Sequence, residues 1–116
     1  MDSMKRETIN DMSGNKTNGL QINFCNGYTL SVGFGKGHYC ENQDYGLYEE
    51  ATRMNVKPCP DMEVAVFNDA GFVRLGEYDD VAARVPVACL DLLIQAARQE
   101  DWDQIRDLCD ETRGAL

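Results

Sequence analysis

A chain of 116 residues with 43% hydrophobic and 27% charged residues has the make-up of one globular domain with a single modest core. No apolar run approaches the ~18 residues a membrane span requires, and the opening MDSMKRETINDMSGNKTNG lacks the apolar stretch of a secretory signal. The net charge of −9 argues against direct contact with nucleic acid, whose phosphates are bound by lysine and arginine.

That charge is uneven. Residues 1–60 carry seven acids against six bases, whereas residues 61–116 carry thirteen acids against five arginines. An acidic half of this kind suits either simple solubility or attraction to the basic surface of a protein that itself handles nucleic acid. Five widely spaced cysteines without a C-x-x-C pair fit reduced, mostly buried thiols in a cytosolic setting.

Residues 1–19 are polar and lack a sustained period, which reads as a flexible leader before a single α+β domain over 20–116. The pattern then sharpens. Leu20, Ile22 and Phe24 alternate with Gln21 and Asn23, and Tyr28, Leu30, Val32 and Phe34 alternate with Thr29, Ser31 and Gly33. Asn26-Gly27 lies between them and suits a type I′ turn, so a β-hairpin with one apolar face is expected.

Residues 35–60 have no stable period. A stretch this long is either a functional loop or contains a short helix around Leu47–Met54. A second hairpin is expected next: Met62, Val64 and Val66 share one face, NDAG turns, and FVRL returns. The period then becomes helical. Pro86 suits a first helical turn, and Leu90, Leu93, Ile94 and Ala97 form an amphipathic stripe. Asp101 with Gln104 resembles a capping box opening another helix, whose buried face is Trp102, Ile105, Leu108 and Cys109. The expected architecture is an antiparallel sheet of about four strands in two hairpins, with two C-terminal helices packed on one face.

Three kinds of site compete for the segment SVGFGKGHYCENQDYG. Gly33-Phe34-Gly35-Lys36-Gly37 lacks the spacing and the following helix of a dinucleotide fingerprint, and Lys36 is followed by Gly37 rather than the Ser or Thr of a P-loop. The glycines read first as letting the chain bulge or turn sharply at the exit of the hairpin; a backbone-amide anion site over Gly35, Lys36, Gly37 and His38, serving a module that sequesters a nucleotide signal, is the alternative. Cys25, His38, Cys40 and Cys59 offer four soft ligands, but the spacing departs from the paired ligands of structural zinc, and no metal or other cofactor is expected. His38 with Cys40 or Cys59 is the sole Cys–His pairing for nucleophilic chemistry, and it lacks a local signature.

The last helix offers the remaining feature. Asp103, Asp107 and Asp110, joined by Glu100 and Glu111, line the face opposite its apolar residues. Such a stripe is either a solvated outer face or a phosphate-mimicking strip for arginines of a partner. Tyr39, Tyr45 and Tyr48 would add aromatic anchors of the kind interfaces favour.

The hairpin NGYTLSVGFGKGHYCEN followed by MEVAVFNDAGFVRL resembles small uncharacterised proteins encoded by bacteriophages and prophages. The likeness rests on Asn26, Gly27, Tyr28, Ser31, Val32, Phe34, Gly35, Gly37, Tyr39 and Asn42, then Glu63, Val64, Ala65 and Val66. It covers about half the chain and departs at Phe67, where the pattern has tryptophan. The resemblance implies a phage accessory protein acting in the host cytoplasm. By analogy of class, such chains inhibit host defence, as anti-restriction and anti-CRISPR proteins do. The expected partner is a host protein or complex with a basic surface, without direct nucleic-acid or membrane contact, and a homodimer is compatible with it.

Overall fold

The computed structural model describes residues 6–12, 19–34, 58–76 and 79–110. They form an α+β fold: β1 (Thr8–Asp11), β2 (Gly19–Asn23), β3 (Thr29–Gly33), β4 (Asp61–Asn68), β5 (Gly71–Phe72), β6 (Val81–Pro86), then α1 (Leu90–Gln99) and α2 (Trp102–Leu108). The sheet is antiparallel in the order β1-β2-β3-β4, and β5 and β6 both pair with β4. Six strands replace the expected four.

The register sorts every strand residue onto one of two faces. Ile9, Ile22, Leu30 and Val66 stand in one row across β1 to β4. Leu20, Val32, Val64 and Ala82 stand in the next. Against this inner face lie Leu93, Ala96 and Ala97 of α1 and Ile105 and Leu108 of α2, all in one core with the strand residues. Leu30, Val64, Val66, Leu93 and Ile105 are completely buried, each contributing on the order of 2 kcal/mol by removing apolar surface from water. The helical and strand alternations read from sequence therefore point inward as expected.

The outer face has a different character. Thr8, Asn23, Thr29, Phe67 and Phe72 form one continuous row across five strands. Asn10, Gln21, Ser31, Ala65 and Val81 form the neighbouring row. Side-chain hydrogen bonds knit the polar end: Asn10 Nδ2 donates to Gln21 Oε1 (3.1 Å), Asn23 Nδ2 to Thr8 Oγ1 (3.0 Å) and Thr29 Oγ1 to Asn23 Oδ1 (2.8 Å).

Several local expectations change. Within the stretch read as a flexible leader, Thr8–Asp11 is a strand paired along its length with β2. Its side chains are all exposed, and pairing with β2, through the backbone and through the Thr8 and Asn10 side chains, makes it a strand. The β2–β3 turn is not type I′. Among described non-glycine residues, positive φ occurs only at Arg84 and Glu100, and Gly27 alone in this turn has it, at 90°. Gly27 N–H donates to Phe24 O and Phe24 N–H to Tyr28 O, closing a three-residue loop in which glycine takes the left-handed position after an ordinary turn.

The second hairpin is also different. FVRL supplies only Phe72 to β5, and the main partner of β4 is VAARVP, residues Val81–Pro86. A bulge hides this strand from alternation: Met62 faces Val85 and Val64 faces Ala82, so β6 holds an extra residue there. Arg84 takes φ 56° at the bulge, which lets Ala82 and Val85, three apart, both enter the core. Pro86 ends β6 with extended backbone opposite Asp61. It precedes a 3₁₀ turn over Val87–Cys89 rather than opening α1. The expected short helix at Leu47–Met54 lies outside the described residues.

Candidate partner-binding surface

The helical hairpin is built from its ends. α1 stops because Glu100 adopts φ 57°, ψ 35°. Its N–H donates to Ala97 O (3.2 Å), and Asp101 N–H donates to Ala96 O (2.9 Å), a Schellman closure normally given to glycine. Asp101 then caps α2, its Oδ1 accepting from Gln104 N–H (3.2 Å). Only half of the expected capping box forms, because the Asp101 amide is already committed to α1. Two residues thus end one helix and start the next, fixing a tight corner.

The first hairpin docks on that corner. Tyr28 meets Trp102 with ring centroids 4.6 Å apart. Asn26 Nδ2 donates to Ala97 O (3.0 Å) and Arg98 O (3.3 Å), while its Oδ1 accepts from Tyr28 N–H (3.0 Å). Arg98 grips Glu7 with two bonds of 2.7 and 2.8 Å and lies over the Phe24 ring. The paired guanidinium holds the Glu7 carboxyl below its usual range, against a smaller opposing effect of burial.

With its apolar stripe turned inward, the hairpin presents its carboxylates to solvent. Between residues 90 and 110 there are six acids and two arginines, and all six acids are exposed. Both arginines are held within the chain: Arg98 by Glu7, and Arg106 by Arg74 O (2.9 Å) and Asp103 Oδ1 (3.2 Å). Asp103 and Asp107 lie in α2, whereas Asp110 falls two residues beyond its end. The stripe is therefore a short helical pair followed by an acid on the exit, with Arg106 set between the first two aspartates. Asp91 in the first turn of α1 and the corner acids Glu100 and Asp101 are exposed as well.

The other candidate residues divide clearly. Glu111, Tyr39, Tyr45 and Tyr48, and the loop Gly35, Lys36, Gly37, His38 with Cys40, lie outside the described residues. Cys25 sits in the β2–β3 turn, beside the Phe67 end of β4, whereas Cys59 precedes Asp61 at its other end. The eight-residue length of β4 separates them by roughly 20 Å, so they cannot ligate one metal ion together. Among the described residues no three His, Cys, Asp or Glu side chains gather as a metal set. Cys59 Sγ instead donates to Asp61 O (3.2 Å). Burial, with a smaller contribution from Cys89, pushes the Cys109 thiol up to about 12, far from the range of a reactive thiolate.

Among the described residues no helix is long and apolar enough to cross a membrane. Comparison with protein-family models, curated proteins and solved structures yields no match.

Proposed function

We propose that this chain is a non-enzymatic accessory protein of bacteriophage type that binds and inhibits a host defence complex, such as a CRISPR effector. The α1–α2 hairpin would dock on the basic surface with which that complex holds nucleic acid. One observation carries the reading: between residues 90 and 110 six acids are exposed against two arginines, each of which is paired with a carboxylate of the same chain, Arg98 with Glu7 and Arg106 with Asp103. A rigid negative surface of that kind offers a partner's arginines what a phosphate backbone offers them.

Rigidity matters because a pre-ordered surface loses less entropy on docking. The Schellman corner, the Asp101 cap and the Asn26 and Arg98 ties all hold the hairpin in one place.

The test is capture of host proteins from infected cells by the tagged chain and by its D103K/D107K/D110K form. The wild type should retain a nucleic-acid-binding complex that salt releases, and the charge-reversed form should lose it while keeping its far-UV circular dichroism. Equal capture by both forms would refute the acidic docking surface.

A further inference from the structure

We propose that Asn26-Gly27 is a self-modifying site, at which the asparagine deamidates once the first hairpin lifts from α1, and that docking of the hairpin holds this reaction closed. The dipeptide is labile because glycine has no side chain to hinder attack by its backbone nitrogen. Gly27 N attacks Asn26 Cγ and forms the new N–Cγ bond of a succinimide ring. The Cγ–Nδ2 bond breaks, and the Gly27 amide proton leaves with Nδ2 as ammonia. Water then opens the ring at either carbonyl, leaving aspartate or its isoaspartyl isomer at position 26.

The fold occupies each reacting group. Gly27 N–H, whose proton must be lost, donates to Phe24 O (3.1 Å). Asn26 Nδ2 donates to Ala97 O and Arg98 O, and Oδ1 accepts from Tyr28 N–H. The carboxamide is therefore pinned at both ends and turns onto Gly27 N only when these bonds break. The docked turn uses both residues. Gly27 takes φ 90°, a conformation that favours glycine, although a side chain there would meet nothing within 4 Å. Asn26 supplies the amide donor that the end of α1 takes up. The requirements of docking thus create the labile pair, and docking protects it. Once reacted, the turn no longer fits: aspartate has no amide to donate and sets a charge against the negative end of α1. Isoaspartate adds a backbone carbon to a three-residue loop.

The experiment holds the full chain at one pH and temperature, with and without denaturing guanidinium chloride, and follows Asn26 by peptide-mapping mass spectrometry. In denaturant Asn26 should convert at a rate similar to that of Asn18 in Asn18-Gly19, the other such pair in the sequence. In the folded protein it should convert at least about tenfold more slowly, because reaction waits on local opening of the turn. Trp102→Ala removes the ring that meets Tyr28 at 4.6 Å and leaves the dipeptide intact, so it should speed conversion in the folded protein. Should that variant unfold, as checked by circular dichroism, the wild-type comparison decides. The reacted protein, separated by ion exchange, should show the emission of its single tryptophan, Trp102, shifted to longer wavelength as Tyr28 leaves it. An Asn26 that survives in denaturant while Asn18 converts, or equal rates with and without denaturant, would overturn the proposal. So would an unaltered rate in folded Trp102→Ala, or unaltered Trp102 emission in the reacted protein.

Discussion

Asn26 Nδ2 donates a 3.0 Å hydrogen bond to Ala97 O, joining the first hairpin turn to the last turn of α1 across 71 residues of sequence. The final carbonyls of a helix lack the usual partner four residues on; Glu100 N–H donates to Ala97 O, and a turn residue from another layer adds a second donor there and one at Arg98 O. The same side chain accepts from Tyr28 N–H, so one asparagine shapes the turn and fastens it to the helix. Asn26→Ala should lower stability by about 1–3 kcal/mol, since it removes these bonds together. Asn26→Asp should cost at least as much, because it keeps the turn acceptor but sets a negative charge against the negative end of α1. Urea unfolding of the three proteins measures both.

Glu100 offers the opposite case. It occupies a left-handed conformation at φ 57°, which costs an ordinary residue about 1–2 kcal/mol and glycine almost nothing. Glu100→Gly should raise stability by up to about 1 kcal/mol, after allowance for glycine's greater freedom in the unfolded chain. A raised urea midpoint at unchanged slope would establish this, and a lowered midpoint would contradict it.

The Glu7–Arg98 pair predicts a dependence on acid. Because the folded-state pKa of Glu7 lies below its ordinary value, the pair stabilises the fold above the unfolded carboxylate pKa of ~4.3. That stabilisation is lost as pH falls through the folded value. Wild type and Glu7→Gln should therefore differ in stability at neutral pH and converge in acid. The gap should also narrow in high salt, since both groups are partly exposed.

The thiols should react in a fixed order. Cys25 is exposed and Cys109 is buried with its ionisation pushed up to about 12. Ellman's reagent should label Cys25 in the native protein and reach Cys109 only when the chain unfolds. Stability should fall as pH rises above the unfolded thiol value of ~8.5, because the unfolded state releases the Cys109 proton first. Cys109→Ala should flatten that alkaline decline.

The residues that sequence patterns located correctly share one property: their signal lies within a few positions of themselves. Leu93 and Ala97 sit one turn apart, Val64 and Val66 two residues apart, and all four are buried. Asp101 announces a cap three residues before Gln104, and that bond forms. The acidic character of α2 was equally visible in Asp103 and Asp107, although the end of the helix before Asp110 was not. A helix ends where carbonyls find other partners, and these came from Glu100, Asp101 and Asn26 for α1 and from residues near Cys109 for α2.

What the sequence alone determined, then, is which side chains turn inward and that two hairpin-like stretches precede two helices, because a period of two or of 3.6 is a local quantity. The tertiary structure decided the rest. Thr8–Asp11 is a strand because β2 is there to pair with it. Val81–Pro86 is a strand because a bulge at Arg84 repairs its broken alternation against β4. The separation of Cys25 from Cys59 and the outer rows from Thr8 to Phe72 and from Asn10 to Val81 depend on register between distant segments, and the pairing of Glu7 with Arg98 depends on α1 packing on the sheet. Register is set by the whole core at once, and no short window of residues contains it.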